Sequence, residues 1–293
     1  MENWTHIPIM AKEIAAYLLQ NPHGVYIDGT LGLGGHTRYF LSQLAEDARI
    51  IGFDRDEEAV QMALSRVADK RLRAFHASYT EAPAVLKELQ IDGADGALFD
   101  LGLSSYQLDN AARGFSILRD GPLDMRFDLS STVTAEKIVN TWPMAQLERI
   151  LLEYGEERQA AAIALAIMRA RKDAPIQTTG QLKQIVETVY RGQRGKTHPA
   201  TQTFQALRIA CNRELEMVEA VLNSLELILK QGARAAIITF HSLEDRLVKN
   251  RFKQLAQSGK WKLITKHAQA PSYEEIFQNR RARSAKLRVI ERL

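Results

Sequence analysis

The sequence predicts an α/β protein with a mostly parallel sheet that is interrupted by a long helical insertion. In the N-terminal third, short apolar runs of strand length alternate with segments of helical periodicity, which is typical of a parallel sheet covered on both faces. The first two runs flank a glycine-rich loop. From about Tyr106 to Asn212 there are helical patterns and loops but no convincing strand, after which the alternation resumes.

The first strand and the loop after it carry the strongest functional signal. Val25–Asp28 is an apolar run ending in an acid, and residues 29–36 read Gly-Thr-Leu-Gly-Leu-Gly-Gly-His. A helical pattern over Thr37–Leu44 and a second strand over Arg49–Phe53 follow, and Asp54 closes the second strand. In such a unit the glycine backbone can approach a ligand, and the acid can bind a ribose hydroxyl.

The spacing of these glycines departs from the dinucleotide-binding fingerprint. G-x-G-x-x-G would need a third glycine at position 37, where Thr37 stands. A nucleoside cofactor without a pyrophosphate therefore fits better than NAD, and S-adenosylmethionine is the obvious candidate. The alternatives are an NAD-dependent oxidoreductase and a glycine-rich turn in an ordinary α/β protein.

The next two strands place further acids beside this loop. A third strand is expected at Leu72–Ala77 and a fourth at Gly96–Asp100, with a helix over Glu81–Leu89 between them. Ligands of parallel sheets bind beyond the carboxyl ends of the strands. Because Asp28, Asp54 and Asp100 all fall at such ends, we expect them to define one rim.

The insertion is expected to be all-helical and to lie at residues 106–212, between core segments 1–105 and 213–293. Apolar residues at helical spacing predict helices over Ala145–Tyr154, Gln159–Arg171 and Thr179–Tyr190, the last capped by Thr179. Loops rich in Arg, Asp and Gly precede these helices, and loop residues positioned by a scaffold often carry function. The insertion is therefore a candidate substrate-recognition domain.

The C-terminal part returns to the α/β pattern. Phe204–Leu229 reads as one long helix, which Thr201 or Thr203 could cap and which Gln231-Gly232 would end. A buried strand follows at Ala235–Phe240. Trp261–Thr265 and Leu287–Ile290 are expected to form an antiparallel edge of the sheet.

Composition and charge limit the class of protein. The chain has 293 residues, 45% of them hydrophobic and 25% charged, which is normal for a globular protein. It has neither an eighteen-residue apolar run nor an N-terminal signal pattern, and its single cysteine, Cys211, fits a reducing cytoplasmic setting. No Cys/His spacing suits zinc, so no metal is expected. His241, Ser242 and Asp245 lack the G-x-S-x-G elbow of a hydrolase.

The net charge of +4 is mild, but basic residues are clustered in two places. One cluster lies at Arg191, Arg194 and Lys196, between glycines. The second cluster lies near the C-terminus and comprises Arg280, Arg281, Arg283, Lys286 and Arg288. Basic clusters of this kind suit phosphate contacts, although solvated surface charge would look the same in a sequence.

Taken together, the motifs resemble the bacterial 16S ribosomal RNA cytosine-N4 methyltransferase family over almost the whole chain. Each motif alone is weak, but their order along the chain is highly specific. The sequence departs from the family pattern at Tyr106, Phe127 and Arg280, where family members usually have Pro, Met and Pro. The resemblance is carried by segments 6–8, 26–30 with 34–36, 54–56, 100–102 with 104–105, 113–116, 121–126, 154–158, 198–201 with 203–206, 240–246, and 281–284 with 286–288.

The resemblance implies a Rossmann-like, S-adenosylmethionine-dependent methyltransferase core with a helical insertion. It also implies N4-methylation of a cytosine in the decoding region of the small ribosomal subunit, in the cytoplasm. The cofactor contacts that it implies are Gly34, Gly35, His36, Asp54, Tyr79, Asp100 and Gln107, with Tyr79 against adenine. The basic and loop residues expected to contact RNA are Arg113, Arg126, Arg194, Lys196, His198, Arg281, Arg283 and Lys286.

The group that would accept hydrogen bonds from the cytosine amino group is not fixed by these motifs. Asp100 keeps the acid that many amino-methyltransferases have after the fourth strand, but Leu101-Gly102 replaces the prolines that usually follow it. Ser104, Ser105 and Asp124 are therefore further candidates. An RNA-binding ribosome-assembly factor on a methyltransferase fold is the alternative function. The oligomeric state stays open, with a homodimer as one option.

Overall fold

The computed structural model describes residues 8–191 and 198–293, and the chain divides into two compact units. The first unit, here called the sheet unit, comprises Met1–Gly102 and Leu215–Leu293. The second, here called the helical unit, comprises Leu103–Glu214. The boundaries expected from the sequence, after residue 105 and after residue 212, lie close to these limits.

The sheet unit is built on a seven-stranded sheet with the strand order β3-β2-β1-β4-β5-β7-β6. Strands β1 to β5 pair in parallel, whereas β7 runs antiparallel to both β5 and β6. This arrangement confirms the predicted α/β class and the predicted antiparallel edge. The strands are β1 Val25–Asp28, β2 Arg49–Asp54, β3 Leu72–His76, β4 Ala94–Asp100, β5 Leu229–Thr239, β6 Trp261–Leu263 and β7 Lys286–Arg292.

The helices divide between the two units according to the alternation read from the sequence. In the sheet unit they are α1 Ala11–Leu18, α2 Gly35–Leu41, α3 Glu57–Val67, α4 Ala82–Glu88, α11 Glu214–Ile228, α12 Ser242–Gln257 and α13 Tyr273–Gln278. In the helical unit they are α5 Ser105–Asp109, α6 Ala135–Thr141, α7 Met144–Glu153, α8 Ala160–Asp173, α9 Thr179–Tyr190 and α10 Thr201–Asn212. Glu214, the first residue of α11, is the last residue of the helical unit.

Two apolar clusters cover the two faces of the sheet. Successive residues of a strand point to opposite faces, so Phe99 belongs to one cluster and Leu98 to the other. The cluster of Phe99 includes Phe252 of α12, and the cluster of Leu98 includes Phe40 of α2. Burial on both faces explains why these strands read as continuous apolar runs rather than alternating ones.

The helical unit has an apolar core of its own. Buried side chains from α6, α7, α8, α9 and α10 meet there, among them Ile138, Ile150, Ile163, Leu182 and Leu207. In α8, for example, Ala160, Ile163, Ala164 and Ile167 are buried, which is the three- and four-residue spacing expected for a single buried face. Among the residues that the structure describes, this unit has no strand, only an isolated bridge between Pro122 and Thr178.

The prediction of one long helix over Phe204–Leu229 is wrong. The chain forms α10 and α11, which are separated at Arg213, where the backbone has a left-handed φ of 54°. The apolar spacing continues across the break, because each helix buries a face of its own, and so periodicity does not reveal the turn. Gly232 does not end this helix either, since it lies inside β5, at an irregularity between pairings at Leu229 and Arg234.

Helix starts were also placed imprecisely. Thr178, rather than Thr179, caps α9, and its hydroxyl accepts from the backbone N–H of Gln181. At α10 neither Thr201 nor Thr203 caps, because the cap residue is Ala200. Adjacent hydroxyl residues give equal capping signals in a sequence, so only the backbone conformation distinguishes them.

Gly34→Ala is expected to destabilise the protein more than Gly232→Ala, although both glycines have nearly the same left-handed φ, 76° and 77°. A Cβ at position 34 would lie 2.6 Å from Cγ2 of Val67, whereas one at position 232 meets nothing within 4 Å. The backbone cost is shared, so the difference reports the clash, which we expect to add about 1–3 kcal/mol. Urea unfolding of both variants measures it.

Adding Val67→Ala to Gly34→Ala removes the atom that clashes and should recover part of the loss. Equal destabilisation by the two glycine variants would show that the contact with Val67 carries no cost.

Candidate functional site

The loop after β1 is tied to the strands on both sides of it. The backbone N–H of Gly29 donates to the carbonyl of Leu98 in β4 at 2.8 Å, and that of Leu31 donates to Phe53 in β2 at 2.9 Å. Gly34 then turns the chain into α2, which begins at Gly35. The glycine loop is thus held over the carboxyl ends of three neighbouring parallel strands, where α/β proteins bind ligands.

Asp28, the last residue of β1, is buried and stabilises this loop through hydrogen bonds to its carboxyl group. One carboxyl oxygen accepts from the hydroxyl of Thr37 at 2.7 Å, and the other accepts from the N–H of Thr30 at 3.3 Å. Burial raises the pKa of Asp28 to about 6 against these hydrogen bonds. Thr37, which breaks the dinucleotide fingerprint, therefore supplies a hydroxyl that a glycine could not.

Asp54 at the end of β2 faces the same loop. Its Oδ2 accepts from the N–H of Gly32 at 2.7 Å, and its Oδ1 accepts from that of Asp56 at 2.9 Å. Burial raises the pKa of Asp54 to about 6. A Cβ on Gly32 would have only the carbonyl oxygen of Thr30 within 4 Å, so the loop beside Asp54 is open. Each carboxylate oxygen can accept a second hydrogen bond, such as one from a ribose hydroxyl.

His36 and Asp100 form a second pair at this rim. His36 is buried, and its Nε2 lies 2.9 Å from the carbonyl of Ile9, which can only accept, so Nε2 carries the proton. The unprotonated Nδ1 lies 3.8 Å from Oδ2 of Asp100. Burial lowers the pKa of His36 to about 4, so the ring is neutral at pH 7.

Asp100 differs from the other two acids because part of its carboxyl group has no partner. Its backbone N–H donates to the hydroxyl of Thr30 at 2.6 Å, but Oδ1 is buried and accepts no hydrogen bond from the described residues. Burial, followed by the charges of Asp28 and Glu244, raises the pKa of Asp100 to about 8. A buried carboxyl without donors is suited to a ligand that brings positive charge or N–H groups.

Tyr79 lies in the core at the start of a short 3₁₀ helix. Its ring centre is 5.6 Å from that of Phe99 at an interplanar angle of 69°, an edge-to-face contact. A Cβ on Gly29 would lie 3.1 Å from Cβ of Tyr79, so the residue also borders the glycine loop. The contact with adenine stays a prediction.

Glu244, which is buried, and His241, which is partly buried, lie near this rim and were not predicted as site residues. Oε2 of Glu244 accepts from the N–H of Phe240 at 2.9 Å, and Oε1 lies 3.1 Å from Nε2 of His241. The spacing of an acid three residues after the residue that caps α12 was the available signal. Asp245 instead pairs with Arg288 at 2.7 Å, which agrees with the rejection of a hydrolase triad.

The helical unit contains the other acceptor candidates and Gln107. The hydroxyl of Ser104 accepts from the N–H of Gln107, whose Oε1 in turn accepts from the N–H of Ser104, forming a capping box for α5. Ser105 is the first residue of α5. Asp124 forms a bidentate ion pair with Arg126, at 2.8 Å from Nε and 2.7 Å from Nη2. Both carboxylate oxygens of Asp124 are therefore engaged within its own loop.

Two of the predicted RNA-binding residues of the helical unit, Arg113 and Arg126, contact backbone carbonyls of that unit. Arg113 is buried, and its guanidinium donates to the carbonyls of Arg126 and Phe127. Arg126 also donates to the carbonyls of Leu129 and Ser131. These contacts favour a positioning role over exposure to RNA, because four of the five N–H donors of Arg126 are used within its own loop. Arg194 and Lys196 lie outside the described residues.

His198 and the C-terminal basic residues have different surroundings. Nε2 of His198 lies 3.2 Å from Glu187, and its Nδ1 accepts from the N–H of Ala200. Arg281 and Arg283 are exposed on a 3₁₀ turn, and Lys286 is exposed as well, with its Nζ 3.3 Å from Asp245. These three C-terminal residues are thus the predicted RNA contacts that the structure places on the surface. None of the helices in residues 8–191 and 198–293 is long and apolar enough to span a membrane.

Comparison with known protein families shows the family to which the chain belongs. The family model described as the MraW methylase family matches residues 3–293. A seven-stranded sheet of this order, with a glycine loop after β1 and an acid as the last residue of β1, β2 and β4, is the Rossmann-like arrangement of a methyltransferase. The chain belongs to the MraW methylase family.

Relatives match over the full length of the chain. A protein named ribosomal RNA small subunit methyltransferase H from Elusimicrobium minutum is 57% identical, and the match covers 100% of both chains. A protein of the same name from a Geobacter species is 43% identical over 100% of both chains. Among solved structures, a putative rRNA-methylase from Clostridium thermocellum matches with a TM-score of 0.46 and 13% identity, covering 97% of this chain and 95% of that chain.

The free energy of unfolding of Asp100→Asn, taken relative to that of the wild type, is expected to be higher at pH 9 than at pH 5. The native pKa of about 8 exceeds the ordinary value of 3.8, so the native state binds the proton more tightly than the unfolded state. Wild-type stability therefore falls as the pH rises through this interval, and the amide avoids that loss. Since one pKa unit is worth about 1.4 kcal/mol, the gap should widen by on the order of 2–4 kcal/mol.

Asp95→Asn provides the control, because Lys230 and other donors hold the pKa of Asp95 below its ordinary value. Asp95 is ionised at pH 5 and at pH 9, so the effect of its replacement should be the same at both. Urea unfolding at the two pH values measures both variants. An Asp100→Asn effect that is independent of pH would contradict the raised pKa.

Proposed function

We propose that this chain transfers a methyl group from S-adenosylmethionine to N4 of a cytosine in the decoding region of 16S ribosomal RNA. The observation that carries the proposal is the buried carboxyl of Asp100, which has an oxygen without a donor at the ligand-binding edge of the sheet. Full-length relatives named ribosomal RNA small subunit methyltransferase H support the choice of substrate. The proposed partner is the small ribosomal subunit, in the cytoplasm.

The residues at the rim fit S-adenosylmethionine. The open side of Gly32 leaves room beside Asp54, whose oxygens can accept from ribose hydroxyls. The neutral ring of His36 and the carboxyl of Asp100 lie at the other side of the loop. When bound, the cofactor supplies an electrophilic methyl group. Cofactor contacts are proposed at Gly34, Gly35, His36, Asp54, Tyr79, Asp100 and Gln107.

Methyl transfer to a cytosine amino group needs a hydrogen-bond acceptor beside N4 more than it needs a general acid. The N4 lone pair is delocalised into the ring, so an oxygen that accepts from the N4 hydrogens would localise that pair and later take a proton. Asp100 is the best-placed group, because its Oδ1 has no donor. Ser104 and Asp124 already accept hydrogen bonds within the helical unit, and Asp124 would have to give up Arg126.

Positioning would supply the remainder of the rate. Holding the two reactants in line can contribute up to about 7–11 kcal/mol. The cytosine must be unpaired or flipped out of its helix to reach the methyl group. The helical unit is the proposed substrate-recognition domain, and the exposed Arg281 and Arg283 are proposed to contact the RNA backbone, together with Lys286, Arg194, Lys196 and His198.

The methyl-transfer test uses purified protein, radiolabelled S-adenosylmethionine and small ribosomal subunits from a strain that lacks the endogenous enzyme. We expect label on one cytosine of the decoding region, at N4, when the RNA is digested and mapped. Naked 16S RNA in parallel shows whether the assembled subunit is required. Cofactor binding without label on either substrate would favour the RNA-binding assembly factor instead.

Asp100→Asn is expected to lower kcat by at least about 100-fold, because the amide cannot take a proton and donates where the carboxylate accepts. Asp124→Asn is the matched variant, since it makes the same chemical change in the second candidate acceptor. Single-turnover rates and cofactor affinity should be measured for both variants.

Loss of turnover in Asp124→Asn with cofactor affinity intact would move the acceptor role to Asp124. Wild-type turnover in Asp100→Asn would exclude Asp100 as the acceptor. A fall in stability rather than in rate, read from the unfolding midpoint, identifies a variant whose defect is structural.

A further inference from the structure

Two aromatic side chains in the sheet unit are almost fully exposed to solvent. Tyr273 is 94% exposed and Phe277 is 89% exposed, and both belong to the short helix α13. Residues four apart in a helix lie on the same face, so the two rings form one apolar surface, here called the aromatic face. Large apolar side chains on a protein surface mark contact sites when they occur together.

The segment that carries the aromatic face is held to the protein on its inner side. The side chain of Glu275, which lies between Tyr273 and Phe277 in the sequence, accepts from the backbone N–H of Met10 at 2.7 Å. After α13, Asn279 caps the 3₁₀ turn Arg280–Ser284, within which Ala282 is fully buried. The outward direction of the rings therefore follows from the anchoring of the helix, and ordering them on binding costs less than it would on a loose chain.

Basic side chains adjoin the aromatic face. Arg280, Arg281 and Arg283 follow α13 directly and are exposed. One exposed acid, Glu274, lies on the same helix. Positive charge beside exposed rings is the combination with which proteins bind single-stranded nucleic acid, because the rings stack on unpaired bases while arginines contact the phosphates. A second copy of the chain fits less well, because a symmetric contact would bring the two arginine groups together.

We propose that Tyr273 and Phe277 stack on unpaired bases of an RNA strand whose phosphates lie along Arg280, Arg281 and Arg283. The inference rests on the proposed function, since it takes the partner to be ribosomal RNA and adds that this surface reads a single-stranded stretch. Bases in a duplex are already stacked on one another and cannot cover the rings, so the aromatic face discriminates between the two forms of RNA.

The test compares a single-stranded RNA oligonucleotide with the same strand in a duplex, by fluorescence anisotropy at fixed salt and without cofactor. Tyr273→Leu/Phe277→Leu keeps apolar area but removes the rings, and should weaken single-strand binding by about 10- to 100-fold. Binding to the duplex should change little. Tyr273→Trp/Phe277→Trp should retain single-strand affinity, because it keeps the stacking surface.

Leu227→Ala is the matched control. Leu227 is also exposed, at 68%, but it lies in α11 next to Glu226, whose carboxylate lies close to the basic groups of Lys260 and Arg292. It should bind RNA as the wild type does. Arg280→Gln/Arg283→Gln should weaken both forms of RNA and flatten the salt dependence, whereas the leucine variant should leave the salt dependence unchanged.

Wild-type affinity of the leucine variant for the single strand would overturn the inference, as would equal weakening for the duplex. Sedimentation should be run on the same samples, because a dimer that dissociates in the leucine variant with unchanged RNA affinity would identify the face as an interface between copies. If the wild type methylates subunits but the leucine variant binds RNA normally, this inference fails and the proposed function stands. If the wild type does not methylate subunits but the leucine variant binds the single strand more weakly, the proposed reaction fails and the RNA contact at the aromatic face stands.

Discussion

The parallel pairing of β1 with β2 and β4 is the constraint on which the site depends. It brings the carboxyl groups of Asp28, Asp54 and Asp100 to the same edge of the sheet, where their charges repel. The glycine loop stabilises two of them, since its N–H groups and the Thr37 hydroxyl donate to Asp28 and Asp54. The same hydrogen bonds fix the loop, so its shape and the charge state of the rim are linked.

The carboxyl of Asp100 is the least stabilised of the three. It lacks a donor at Oδ1, and the nearby ring of His36 is neutral and cannot compensate its charge. A protein that buries an uncompensated carboxyl loses stability for it, which is tolerated where the group has a function. A cationic ligand would lower the pKa of Asp100 and favour its ionised form, in which the carboxylate could serve as the proposed hydrogen-bond acceptor.

Local patterns in the sequence were sufficient for the existence and order of the strands and for the acids that end β1, β2 and β4, although β5 begins at Leu229 rather than at Ala235. Val25–Asp28 was placed without error, because an apolar run bounded by a glycine loop has few alternatives. The break at Arg213 could not be predicted, since a left-handed residue that is not glycine leaves no signal in composition. The hydrogen bond from the hydroxyl of Thr37 to Asp28 could not be predicted either, because the sequence pattern at position 37 shows only that the third glycine of the fingerprint is missing.

The basic residues show where sequence patterns stop being informative. Arg113 and Arg281 both follow loops and both read as RNA contacts, yet one is buried against backbone carbonyls and the other is exposed. A guanidinium has several donors, and a folded loop with unpaired carbonyls can use them as well as a phosphate can. Only the competition between these acceptors decides the role of an arginine. Arg113 and Arg126 donate to carbonyl groups of their own unit, so the predicted RNA contacts that are exposed in the described part of the chain are Arg281, Arg283 and Lys286, near the C-terminus.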